Sequence, residues 1–131
     1  MIIMALDYGD RYVGIAISDY EGKIALRHSV IDKKKQELFV GLKNTIEKEE
    51  PEKIVVGMPV GLSGVETEQT AKTREFVAEL KENIENGIQI EEADETFTSK
   101  EAKRIILEEG GSMDEEHTEA ARLILESYLK R

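Results

Sequence analysis

The chain contains no cysteine. Disulfides and thiolate zinc sites are therefore excluded, and any metal chemistry must rest on oxygen and nitrogen ligands. Long apolar runs are also missing. The opening stretch, residues 2–8, is short and carries Asp7, so it reads as neither a signal peptide nor a membrane span; a cytoplasmic protein with no membrane partner is the expectation. There is no excess of positive charge either. The 18 basic and 28 acidic residues leave a net charge of -10, which argues against a general affinity for phosphate backbones. No repeat, low-complexity segment or linker breaks up the 131 residues. That length suits a single domain, residues 1–131, and leaves no room for two lobes with a cleft between them.

What charge there is lies unevenly. Residues 91–119 hold eleven acids and three bases. Such a segment is either a solvated acidic face or a source of carboxylates for a partner such as a divalent metal.

Residues 2–8 and 12–19 are rich in Ile, Val and Ala and are separated by Gly9, Asp10 and Arg11, which predicts a hairpin. A turn at Glu21-Gly22 leads to a third strand over 23–31. Leu38, Leu42 and Ile46 recur every four residues, predicting a helix over 36–49 closed by Pro51. KIVVGMP, residues 53–59, has the continuous apolar pattern of a strand buried on both faces. A helix over 67–84, a strand over 88–93, a helix opening at the Thr98-Ser99-Lys100-Glu101 capping box and a last helix over 116–129 complete the order. A meander followed by alternating strands and helices predicts an α/β fold: a five-stranded mixed sheet with helices on both faces.

Three places could carry chemistry. Asp7 ends a strand with Ile3 and Ala5 on its own face, and strand ends are where open α/β sheets gather ligands; it could also simply cap the turn through the amides of Gly9 or Asp10. Asp94 and Glu95 repeat the feature after the fifth strand. Adjacent strand residues face opposite ways, so one of the two is expected to meet Asp7, unless both only open the loop before the Thr98 cap. His117 shares a helical stripe with Ala120, Ala121, Ile124 and Tyr128. It is either a packing residue or, beside carboxylates, a metal ligand or proton carrier. Oxygen and nitrogen ligands converging at a sheet end suit magnesium or manganese acting on a phosphodiester. The glycines of GMPVGLSG, Gly57, Gly61 and Gly64, could let backbone approach a phosphate, but no Lys-Ser/Thr follows, so this is not a P-loop, and turn chemistry after a strand explains them equally well. Lys33 to Lys35, Lys72, Arg74, Lys100, Lys103 and Arg104 are nucleic-acid contacts or solvated helix faces.

With these segments in order, the sequence resembles the YqgF/RuvX family, described as Holliday junction resolvases and as nucleases that mature the end of pre-16S ribosomal RNA. Four blocks carry the resemblance: LDYGDRYVGIAISD, IVVGMPVGLSGVETEQTAKTREFVAEL, EEADETFTSKEAKRIIL and HTEAARLILESYL. It implies a ribonuclease H-like fold and a catalytic group of Asp7, Glu95, Asp94 and His117, with Asp7, Glu95 and His117 on a magnesium or manganese ion. It also implies substrate contacts at Arg11, Gly57, Pro59, Gly64 and Thr98. The partner implied is a structured precursor rRNA or branched DNA, with a ribosomal or nuclease partner and a monomeric or weakly dimeric state. The chain departs from the family pattern at three positions: His117 stands where an acid opens the last helix, and Tyr12 and Thr96 replace basic residues. Beside a nuclease, two other readings follow from the residues. One is a nucleotide-phosphate site, since Asp-x-Gly before a second apolar strand also resembles the first phosphate motif of the actin and sugar-kinase superfamily. The other is a binding module of the same fold.

Overall fold

The computed structural model of the chain describes residues 1–59, 67–84, 87–94 and 113–130, without the side chains of residues 113 and 114. Five strands, β1 (Ile3–Tyr8), β2 (Tyr12–Ser18), β3 (Ala25–Asp32), β4 (Lys53–Met58) and β5 (Gln89–Asp94), form one sheet in the order β3-β2-β1-β4-β5. β1 pairs antiparallel with β2 and β2 with β3, while β1–β4 and β4–β5 are parallel. The helices described are α1 (Leu38–Glu49), α2 (Glu68–Asn83) and α3 (Met113–Leu129). The expected mixed sheet and its meander are therefore present.

Side-chain alternation sorts the core into two layers. Met4 and Leu6 of β1 point with Val13, Ile15, Ile54 and Val56 toward α1 and α2, where Leu42, Phe76, Val77 and Leu80 meet them. Ile3 and Ala5 point the other way, with Ala16, Val55 and Ala93, against Ala121, Ile124 and Leu125 of α3. Each fully buried side chain such as Leu6 contributes about 2 kcal/mol of transfer free energy, so β1, apolar on both faces and paired on both edges, is a firmly held place from which to present a side chain.

Three boundaries differ by two residues or more from those the sequence predicts. β3 begins at Ala25, because the Asp19 carboxylate accepts hydrogen bonds from the Lys23 and Ile24 amides (2.7 and 3.0 Å) and prolongs the turn through Gly22 at φ +69°. α1 begins at Leu38, because the Glu37 carboxylate accepts the Val40 amide as an N-cap. α3 begins at Met113, three residues before the periodicity suggests, which places residues 116 and 117 inside the helix. The predicted helix after Thr98 lies outside the described residues.

Two contacts fix helix ends to the carboxyl end of β1. At the start of α2, Thr67 and Thr70 form a capping box, Thr70 donates its hydroxyl to the Pro59 carbonyl, and Gln69 donates to the Tyr8 carbonyl at 3.0 Å. On the other face, α3 lies so close to β2 that a Cβ at Gly14 would stand 2.1 Å from the His117 carbonyl oxygen. Only glycine permits that approach.

Candidate active site

Asp7 lies on β1 directly opposite Gly14 of β2, so the start of α3, pressed onto Gly14, comes to rest beside the strand-end carboxylate. The result is a cleft of about 210 Å³ lined by Asp7, Tyr8, Gly9, Pro59, Gln69, Glu116, His117 and Ala120. The structure thus brings Asp7 and His117 together and sets Pro59 on the opposite wall.

The His117 ring stacks on Tyr12, centroids 4.8 Å apart at 30°. The Arg11 guanidinium lies 4.9 Å from the centre of the same Tyr12 ring and makes a two-pronged contact with Asp32 (3.1 and 3.0 Å). That contact holds the Asp32 carboxyl below its usual range. Two of the positions that depart from the family pattern, Tyr12 and His117, are therefore one aromatic contact. Arg11, Tyr12, Asp32, Lys35, Gln36 and Glu115 continue into a neighbouring groove.

Cations crowd this end of the sheet although the chain is strongly acidic. The Lys33 amine lies 4.2 Å above the Tyr8 ring and donates to its hydroxyl, and Tyr8 stacks on Phe76. Lys72 of α2 donates to Asp10 at 3.2 Å, and that hydrogen bond to the carboxylate raises its amine above the ordinary lysine value.

The remaining expected residues are placed differently. Asp94 ends β5, but Ala93 packs on the α3 layer, so alternation turns Asp94 to the other face; it is exposed and outside the cleft. Gly57 is buried inside β4, paired with Ala93, and does not line the cleft. Glu95, Gly64 and Thr98 lie outside the described residues.

One cleft residue went unnoticed in the sequence. Oxygen Oε2 of Glu116 is buried and accepts no hydrogen bond. Its signal was its position four residues before Ala120, on the same sheet-facing stripe as His117. Among the described residues no three His, Asp or Glu side chains form a ready-made metal cluster. Magnesium does not require one, since it binds through one or two carboxylates and otherwise keeps water and substrate oxygens. A buried carboxylate oxygen without a partner is costly unless a donor or a cation meets it, so Glu116 in a cleft shared with Asp7 fits a hard divalent ion.

A mixed sheet in the order 3-2-1-4-5, helices on both faces and a carboxylate at the end of the central strand define a ribonuclease H-like α/β protein. Solved structures bear out that fold. RuvC of T. thermophilus in complex with a Holliday junction substrate superposes with a TM-score of 0.59 at 14% identity, covering 98% of this chain and 94% of that one. The Thermus thermophilus RuvC structure superposes at 0.58 and 15% identity, with the same coverage. The family model for RuvX, described as Holliday junction resolvase, matches residues 1–131, and the chain belongs to that family. Relatives named "Putative pre-16S rRNA nuclease" include one from Koribacter versatilis, 37% identical over 98% of this chain and 86% of its own length. A second, from Halothermothrix orenii, is 37% identical over 98% and 94%. A third, from Dictyoglomus thermophilum, is 38% identical over 98% and 95%.

Proposed function

We propose that this chain is a metal-dependent endonuclease that hydrolyses phosphodiester bonds in structured nucleic acid, acting in maturation of the 5′ end of pre-16S rRNA. The observation that carries the reading is the cleft lined both by Asp7, at the end of the central strand, and by Glu116, whose carboxylate keeps a buried oxygen without a hydrogen-bond partner. Membership of the RuvX family and the names of the relatives supply the substrate class. Because the family description is Holliday junction resolvase, branched DNA is the second reading.

Asp7 and the α3 carboxylate would hold the ion, with Glu95 as a further ligand. A bound magnesium or manganese ion positions the attacking water and stabilises the charge that develops on the phosphodiester. The chain's own part is placement. β1 holds Asp7 in fixed geometry, and Gln69 and Thr70 tie the α2 end of the cleft to Tyr8 and Pro59. Arg11, Lys33, Lys35 and Lys72 are the cations available to a substrate's phosphates in a chain of net charge -10, two of them already paired with Asp32 and Asp10. They are grouped where β1 and β3 end, on the side of the sheet at which Asp7 is presented.

The test is a cleavage assay of wild type and Asp7→Asn, with magnesium and with manganese, on a structured ribosomal precursor RNA and a four-way DNA junction in parallel. Metal-dependent cutting of the RNA that the variant loses supports the reading. Cutting of the junction alone selects the second reading, and cutting of neither by the folded protein sinks both.

A further inference from the structure

We propose that Glu116 is the carboxylate that α3 brings to the divalent ion, and that His117 is a stacked wall of the cleft rather than a ligand. The proposal rests on the reading of Asp7 as a metal-binding carboxylate.

The described carboxylates of α3 make the contrast. Glu115 lies 3.9 Å from Arg27. Glu119 is buried but is met by both Arg27 and Arg122. Glu126 is paired with Arg122 and Lys130. Glu116 alone among them has a buried oxygen without a partner, and it is also the one that lines the cleft with Asp7. A helix whose other described carboxylates each meet an arginine or lysine, and which leaves one buried oxygen unmet in a cleft shared with a second acid, has the charge pattern of a site completed by a bound cation.

Backbone placement agrees. Contact between Gly14 and the His117 carbonyl fixes the first turns of α3 over β2 at the very residue that pairs with Asp7. The preceding residue, 116, lines the cleft from within the helix, so α3 presents its carboxylate without any loop to order. His117 is committed elsewhere: its ring lies on Tyr12, whose ring also carries Arg11. That stack closes one side of the cleft and fixes the imidazole plane, a role that needs an aromatic face and no nitrogen.

The two roles differ in chemistry. Carboxylates alone form a hard donor set that takes magnesium, whereas an imidazole ligand shifts preference toward softer ions such as manganese. With Glu116 as the α3 ligand, magnesium suffices, and position 117 need not be acidic.

The test is calorimetric titration of Mg²⁺ and Mn²⁺ into wild type, Asp7→Asn, Glu116→Gln, Glu116→Ala and His117→Phe, with melting temperatures of the same samples with and without metal. Both Glu116 variants are expected to weaken binding of both ions by at least about tenfold, the scale lost when groups supporting a metal site are removed. His117→Phe, which keeps the stack and removes the nitrogens, is expected to bind as wild type does. Added Mg²⁺ should raise the melting temperature of wild type and not of Glu116→Gln. Wild-type affinity in the Glu116 variants, or loss of binding in His117→Phe, overturns the proposal. Should Asp7→Asn itself bind metal as wild type does, the underlying metal reading fails as well, which separates the two failures.

Discussion

The carbonyl oxygen of His117 occupies the space in which a side chain on Gly14 would begin, 2.1 Å from the position of its Cβ. Since Gly14 pairs with Asp7 across β1 and β2, one glycine sets the distance between the strand-end carboxylate and the helix that faces it. Gly14→Ala must push α3 outward, because backbone cannot yield as a flexible side chain does. The expected cost is about 1–3 kcal/mol, read as a lower melting temperature. Metal affinity should fall by more than an equal loss of stability elsewhere in the chain would cause.

Glu119 is 1% exposed. Burial pushes its carboxyl upward, but hydrogen bonds from Arg122 and Arg27 outweigh that and hold it below the ordinary glutamate value, while Arg122 is raised in turn. A carboxyl depressed in the folded state contributes stability above its unfolded pKa, and this is lost as pH falls through the lower, folded value. Arg122→Ala, which leaves Glu119 buried with Arg27 as its remaining cation, should cost about 3 kcal/mol near neutral pH. Acid unfolding of the variant, followed by circular dichroism, should begin at a higher pH than in wild type.

The capping box at the start of α2 joins that helix to the Pro59 carbonyl at the cleft wall. Thr70→Val keeps the shape and removes the hydroxyl, so the Thr67 amide and the Pro59 carbonyl both lose their partner. A loss of about 1–2 kcal/mol is expected. Hydrogen exchange at the first turn of α2 should accelerate.

Lys35 shares a groove with Arg11 and Tyr12 beside the cleft. If substrate phosphates lie there, Lys35→Ala should weaken binding about equally across sequences and lower the slope of log affinity against log salt by roughly one contact's share. The check is a binding titration at several salt concentrations; an unchanged slope would place the substrate elsewhere.

Much of this arrangement was legible in the chain. Alternation in residues 2–8 put Asp7 on the face of Ile3 and Ala5, and that is the layer α3 covers. The same period showed that Asp94 and Glu95 must face opposite ways, and Ala93 in the α3 layer assigns Asp94 to the far side. The role of His117 on a sheet-facing stripe was also readable, but its stack on Tyr12 was not, since no local pattern joins a β2 residue to one on the last helix. Glu116 escaped because the stretch before it carries no apolar repeat, so the periodicity begins the helix at that residue and assigns it no face. Glu119 escaped for a related reason. Its i+3 partner Arg122 was visible, yet its burial depends on Arg27, 92 residues away on β3. Gly57 falls within the strand that the sequence predicts over 53–59, and its pairing with Ala93 inside β4 takes it out of reach of a phosphate in the cleft.

The central claim is that Asp7 and the start of α3 hold a divalent ion for phosphodiester cleavage. It is tested most directly by anomalous diffraction from crystals grown with Mn²⁺, in wild type and in Asp7→Asn. The expected result is a peak about 2 Å from an Asp7 carboxylate oxygen, absent in the variant. A metal bound away from Asp7, or no bound metal at concentrations that support cleavage in solution, would contradict the claim.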